Sequence, residues 1–180
     1  MSILLSLSPF AVFFVLMRLR SPIAGLIGAL VASLLLCAFM RRRGEAVKIL
    51  EVGSLVLFGL LTAYTWLGAP IWTVATVRLA VDAGLLAIVL VSLAIGQPFT
   101  LQYARERVPE QFWALPVFFT TNVVITAIWA GAFSGTAGSH SAAVPLWVDI
   151  VASIVAFVGA VWFSNWYPVV VRRRSLAAAQ

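Results

Sequence analysis

The sequence predicts an all-α, polytopic transmembrane helix bundle of six spans, with a short cytoplasmic interfacial helix between the fourth and fifth. Three observations lead there. Of the 180 residues, 63% are hydrophobic and only 10% are charged, whereas soluble domains carry about 25% charged residues. The apolar residues gather in runs close to the roughly 20 residues that a bilayer-crossing helix needs. The basic residues stand in short clusters at the ends of those runs, as in Arg41-Arg42-Arg43 and Arg172-Arg173-Arg174. A soluble fold of this length has no interior large enough for so much apolar surface. The lipid bilayer is therefore the first partner, and residues 1–180 are expected to form a single transmembrane domain. The net charge of +6, placed in this way, sets orientation in a membrane and does not suit nucleic acid.

The first apolar run, residues 3–17, ends at Arg18-Leu19-Arg20. It is short for a crossing, which takes about 17 to 25 residues; a re-entrant first segment is the alternative and would leave five spans. No basic cluster precedes it and no A-x-A site follows, so a removable signal peptide is not expected. The second run, 21–40, is uncharged, and its Ala24, Gly28 and Ala32 make a small-residue stripe along which another helix can approach closely. Arg41-Arg42-Arg43-Gly44-Glu45 stops it. The third run, 49–68, closes at Gly68-Ala69-Pro70. Its Glu51 stands three residues after Lys48, within pairing distance on a helix.

The fourth run, 71–96, carries Arg78 and Asp82 in its first half. A helix starting at Ile71 puts them about 10 and about 16 Å along its axis. The fifth, 112–134, is uncharged but contains Thr120-Thr121-Asn122. A Gly/Ser/Thr/Ala connection over 135–143 follows, with the only histidine, His140. The sixth, 144–171, has Asp149 near its start and Asn165 near its end, and stops at the second arginine triplet.

Six spans put both termini on one side together with Arg41, Arg42, Arg43, Lys48, Arg105, Arg107 and Arg172 to Arg174; Arg18, Arg20 and Arg78 fall on the other. The asymmetry makes the first side cytoplasmic. Trp66, Trp72, Trp129 and Trp147 are then expected at the outer interface, and Trp113, Trp162 and Trp166 at the inner one.

Within this topology the costly residues are Arg18, Arg20, Arg78, Asp82 and Asp149, all on the outer half, with Asn122 in the fifth run. Ionisable groups at such depth are functional candidates by default. One reading is a polar pocket, open to the outside, that binds an anionic group or relays a proton. The other is structural: Arg78 and Asp82, four apart, pair on one helix face, Arg18, Arg20 and Asp149 mark interfaces, and Asn122 hydrogen-bonds between helices.

The longest polar interval, Gly96 to Trp113, reads as an interfacial helix over 98–108, begun by Pro98. Phe99 and Tyr103 can lie against lipid or protein, while Gln102, Arg105 and Glu106 form the opposite stripe. Gln102, Tyr103, Arg105 and Glu106 are thus a candidate docking surface, and a topology anchor is the simpler alternative.

No enzyme is expected. One cysteine, Cys37, gives neither an intramolecular disulfide nor an iron–sulfur centre, and His140 alone cannot ligate a haem from both sides. No zinc-protease, phosphate-loop or dinucleotide fingerprint is present, so neither a metal nor a cofactor is expected.

Four stretches carry a family resemblance. They are Leu7-Ser8-Pro9-Phe10-Ala11-Val12-Phe13-Phe14, the Gln97-Pro98 that closes a long apolar run, the charged segment leading to Phe112-Trp113, and the helix bearing Asn122. In their order the chain resembles the intracellular septation protein A family of bacterial inner-membrane proteins. The resemblance implies a role in cell-envelope maintenance and division without a catalytic residue. The uncharged loop with His140 and the Arg172–Arg174 terminus depart from the family pattern, and no functional residue carries over. The expectation is therefore a non-enzymatic multi-pass protein of the bacterial cytoplasmic membrane, acting in envelope or septum assembly through membrane-protein partners or a second copy of itself. A small transporter or channel lined by Arg78, Asp82, Asp149 and Asn122 is the first alternative, and an accessory subunit of a larger complex the second.

Overall fold

The computed structural model describes residues 3–68, 72–139 and 146–177. All regular structure among them is helical. In order the helices are α1 (Ile3–Ser6), α2 (Ser8–Leu19), α3 (Pro22–Arg42), α4 (Ile49–Trp66), α5 (Val74–Ala94), α6 (Phe99–Arg105), α7 (Pro116–Ser139) and α8 (Leu146–Ala177), with a 3-10 turn at Glu110–Phe112. Five stretches are long and apolar enough to cross a membrane: Pro22–Arg42, Ile49–Trp66, Val74–Ala94, Pro116–Gly135 and Val151–Arg173. The chain divides into two compact units, Met1–Ile88 and Val89–Gln180. The division falls inside α5.

In the first unit the run expected as one helix over 3–17 is broken at Leu7. The 12-residue α2 rises only about 18 Å, less than the roughly 30 Å hydrocarbon core. Arg20 and Ser21 turn the chain into α3. Ser21 is the N-cap, its side chain accepting the Ala24 N–H at 3.2 Å, and Pro22 occupies the first turn where its missing N–H costs nothing. Of the expected stripe Ala24, Gly28 and Ala32, Gly28 meets α2, and Gly25 joins it there. A Cβ on Gly25 would stand 3.0 Å from both the Met17 Cβ and the Phe13 carbonyl oxygen, and one on Gly28 would stand 2.1 Å from a Leu16 methyl. Lipid tails are as apolar as leucine, so such contacts stabilise a membrane bundle by close van der Waals approach.

α3 ends where Gly44 takes φ +69°, letting the Glu45 N–H reach back to the Met40 carbonyl at 3.0 Å. α4 then starts behind Lys48, whose backbone N–H donates to the Glu51 carboxylate. Lys48 and Glu51, expected to pair on one helix face, meet here through a helix cap made by the Lys48 backbone. α4 and α5 approach tightly, since a Cβ on Gly84 would stand 2.1 Å from a Leu57 methyl and one on Gly53 would meet Ile88 at 2.7 Å. α5 starts at Val74, not Ile71, because Thr73 and Thr76 cap it reciprocally through backbone N–H and hydroxyl groups.

In the second unit, Gly96 (φ +69°) ends α5 and the Gln97 N–H returns to the Ser92 carbonyl at 2.9 Å. α6 covers Phe99–Arg105 rather than 98–108. α7 begins at Pro116 rather than Phe112, which instead closes the 3-10 turn Glu110–Phe112. It continues as helix to Ser139, through the first half of the connection expected over 135–143; His140 lies outside the described residues. α8 likewise runs past Arg172 to Ala177, since arginine, leucine and alanine are strong helix formers.

The surface is what a bilayer requires. Ile23, Ile27, Val31, Leu34 and Leu35 face outward on α3, and Ile154, Val155, Val158 and Trp162 do so on α8. Trp66, Trp147, Trp162 and Trp166 are exposed as belt residues should be. Trp129 corrects the expected outer belt: it is 0% exposed. Its ring centroid lies 6.3 Å from that of Phe99 and 5.5 Å from those of Phe133 and Phe157. Its indole N–H donates to Ser164 Oγ at 3.0 Å. It is the centre of the second unit, where the buried indole finds its necessary hydrogen-bond partner.

Candidate functional site

Among the described residues, the buried charged side chains of the first unit occur at two levels. The first is built where α4 begins. Glu51, 1% exposed, accepts Ser6 Oγ–H at 2.5 Å on one carboxylate oxygen and the Lys48 backbone N–H on the other. Lys48 is buried too. The Cys37 thiol of α3 lies 4.0 Å from the Glu51 carbonyl oxygen, which puts this level near the arginine-bearing end of α3. Ser54 is fully buried a turn further along α4, its hydroxyl satisfied by its own helix through the Leu50 carbonyl at 2.6 Å.

The second level is the pair singled out by the sequence. Arg78 and Asp82 are 5% and 7% exposed. With α5 starting at Val74 they stand about 6 and about 12 Å from its end, shallower than an Ile71 start predicts. The Arg78 guanidinium carbon lies 5.5 Å from the centroid of Phe14 on α2, a cation–π contact that helps a buried cation.

Between the levels stands an aromatic layer. Phe10 and Phe13 place their ring centroids 5.1 and 5.9 Å from Phe58, and all three side chains are buried. Gly84 packs at Leu57, and α5 runs opposite to α4. Arg78, six residues before Gly84, therefore stands about 9 Å beyond that layer from Glu51. Two levels of buried charge are thus separated by a layer of packed rings.

Arg18 and Arg20 are exposed at the α2–α3 turn and leave the expected buried cluster. A side chain at a helix end can snorkel toward water, which the short α2 permits. Asp149 lies in α8 with its side chain outside the described residues. Asn122 is buried in the second unit, where its Nδ2 donates to the Phe118 carbonyl at 2.8 Å. Its own carbonyl accepts Thr100 Oγ1–H at 3.0 Å, and Thr100 and Thr126 share a hydroxyl contact of 2.8 Å. This links α6 to α7 through the Asn122 backbone oxygen; the Asn122 side chain, expected to bond between helices, bonds within α7 instead. Separately, Ser92 of α5 accepts the Phe99 N–H at the start of α6 at 3.2 Å.

The expected docking surface shrinks. Tyr103 is 6% exposed, and Phe99 beside it is buried against Trp129. Their face of α6 meets protein, since Trp129 offers a larger apolar surface there than water does. Arg105 and Glu106 remain exposed and Gln102 half-buried. Arg105 lies 5.3 Å over the Trp113 ring, whose indole N–H donates to the Val108 carbonyl at 2.8 Å.

Sequence reasoning missed Ser6, Ser92, Thr100 and Thr126. Thr126 could have been found, as it stands one helical turn after Asn122. No group of three metal-ligating side chains is assembled among the described residues.

The fold and its buried charges define a helical protein with membrane-compatible spans. Beyond that class, comparison with protein-family models, curated proteins and solved structures gives no match.

Proposed function

We propose that the chain is a non-catalytic, multi-pass protein of the bacterial cytoplasmic membrane that works by holding membrane-protein partners. The observation that carries this reading is the Phe10–Phe13–Phe58 layer. A permeation path needs polar groups in continuous reach of each other or of water, and here the Glu51 and Arg78 levels are divided by packed rings. Partner contact is supported by α8, where only 6% of the Val151–Arg173 window is buried against 39% of Pro116–Gly135. Envelope or septum assembly as the setting rests on the sequence resemblance alone.

In this reading the chain crosses six times, with both termini cytoplasmic. Ser6 reaches Glu51 at the level of Cys37, so α1, Leu7 and α2 together run alongside most of α3. Their combined rise is about 25 Å, enough for a thin crossing with the exposed arginines at its outer end. In cells carrying Cys37→Ser, a cysteine placed at Ser21 should react with an impermeant maleimide from outside. Labelling only after lysis would mean that the first segment does not cross.

The partner reading is tested by photocrosslinking in cells from positions 105 and 158. Specific adducts that persist with Asp82→Asn are the expected result; lipid adducts alone from both positions would defeat it. The buried Arg78 and Asp82 favour one rival, a small transporter. A proton or solute flux in proteoliposomes that Asp82→Asn abolishes would establish that rival instead.

A further inference from the structure

We propose that the end of α3 binds the phosphate of an anionic phospholipid, with Arg41, Arg42 and Arg43 as its ligands and Phe39 as the platform for Arg43. The proposal rests on the membrane placement above but not on the partner role. All three arginines are exposed. The turn at Gly44 folds the chain back through the Glu45-to-Met40 hydrogen bond. The triplet therefore crowns the helix instead of trailing into a loop. The Arg43 guanidinium carbon stands 4.4 Å from the Phe39 ring centroid. A guanidinium held over a ring face by cation–π attraction is positioned while its N–H groups stay free to fork a phosphate.

Directly before the triplet, Val31, Leu34, Leu35 and Phe39 are exposed on the same helix. This apolar strip leads up to three cations. It matches an acyl chain joined to an anionic headgroup, whereas a soluble anion would make no use of the strip and a neutral lipid would gain little from the charges. Lys48, the next basic residue, is buried and takes no part.

The test is native mass spectrometry of the purified full-length protein in detergent, titrated with phosphatidylglycerol or phosphatidylcholine. The wild type should retain phosphatidylglycerol preferentially. Basic side chains near a membrane surface contribute about five-fold each, so Arg41→Gln/Arg42→Gln/Arg43→Gln should weaken retention by on the order of 100-fold. Two variants keep the charge and hence the insertion of the chain. Phe39→Leu, and Lys at all three arginine positions, should each lose about two- to five-fold by removing the stacked guanidinium. Arg18→Gln/Arg20→Gln should leave retention unchanged. Equal loss in that control would reduce the effect to net charge and overturn the site. Wild-type retention in the triple Gln variant, or in both charge-preserving variants, would overturn it as well.

Discussion

The two units bury polar groups with different chemistry. The first takes in Lys48, Glu51, Arg78 and Asp82, while the second, among the described side chains, takes in only hydroxyl, amide and indole groups: Ser92, Thr100, Thr121, Asn122, Thr126 and the Trp129 N–H. A neutral hydroxyl can be satisfied by its own helix, as Ser54 and Thr121 are through carbonyls one turn back. A carboxylate has no donor to offer and must recruit one from elsewhere, so Glu51 binds α4 to the chain before α2 through Ser6. Buried charge therefore costs more and also ties together segments distant in sequence. The lesson is that the first unit depends on a few polar contacts that cannot be exchanged, and the second on many that can.

The largest effect should come from breaking that dependence. Glu51→Ala removes the acceptor for Ser6 and for the Lys48 N–H and leaves Lys48 buried beside it. It should cost about 3–5 kcal/mol, read by reversible denaturation in mixed micelles. A loss below about 1 kcal/mol would mean that Glu51 is solvated, and the contrast between the units would collapse. Next comes packing. Gly25→Leu drives a side chain into the Phe13 carbonyl and Met17 and should cost about 1–3 kcal/mol in the same assay. Unchanged stability would show that α2 can move away from α3.

In the second unit, Thr100→Val removes the links to Asn122 and Thr126 yet should cost only about 0.6–1.7 kcal/mol, as interhelical hydrogen bonds in membranes do. A cost matching that of Glu51→Ala would erase the difference between the units. Smallest of all, Arg105→Gln at the exposed end of α6 should stay within about 0.5 kcal/mol. The same variant should lower partner crosslinking if α6 docks, which separates a docking residue from a topology anchor.

Helical, membrane-compatible character was legible from the sequence because it depends on sums: apolar residues per turn, charges per run, arginines at run ends. The positions of the five long apolar helices came close for the same reason. Ends were misplaced where a local hydrogen bond decided, as with the Thr73–Thr76 cap that starts α5 late and the helix-forming residues that carry α8 through Arg172. The candidate site was half legible. Arg78 and Asp82 stand out as charges in an apolar run, and burial follows from their place in α5. Arg18 and Arg20 have the same signal but sit at a turn, where a long side chain can leave the apolar region.

What the sequence alone determined, then, is the solvent this chain requires and the residues that would be costly within it, since transfer free energy belongs to each side chain. The tertiary structure alone decided which of those residues meet. Ser6 and Glu51 are brought together across 45 positions of chain, and Trp129 sits at a core instead of an interface. The aromatic layer that parts Glu51 from Arg78 needs Phe10 and Phe13 of one helix to find Phe58 of another. No periodicity within a single helix encodes such a meeting, because it depends on how closely the helices approach, and glycines such as Gly25 against Phe13 and Gly84 against Leu57 help to set that.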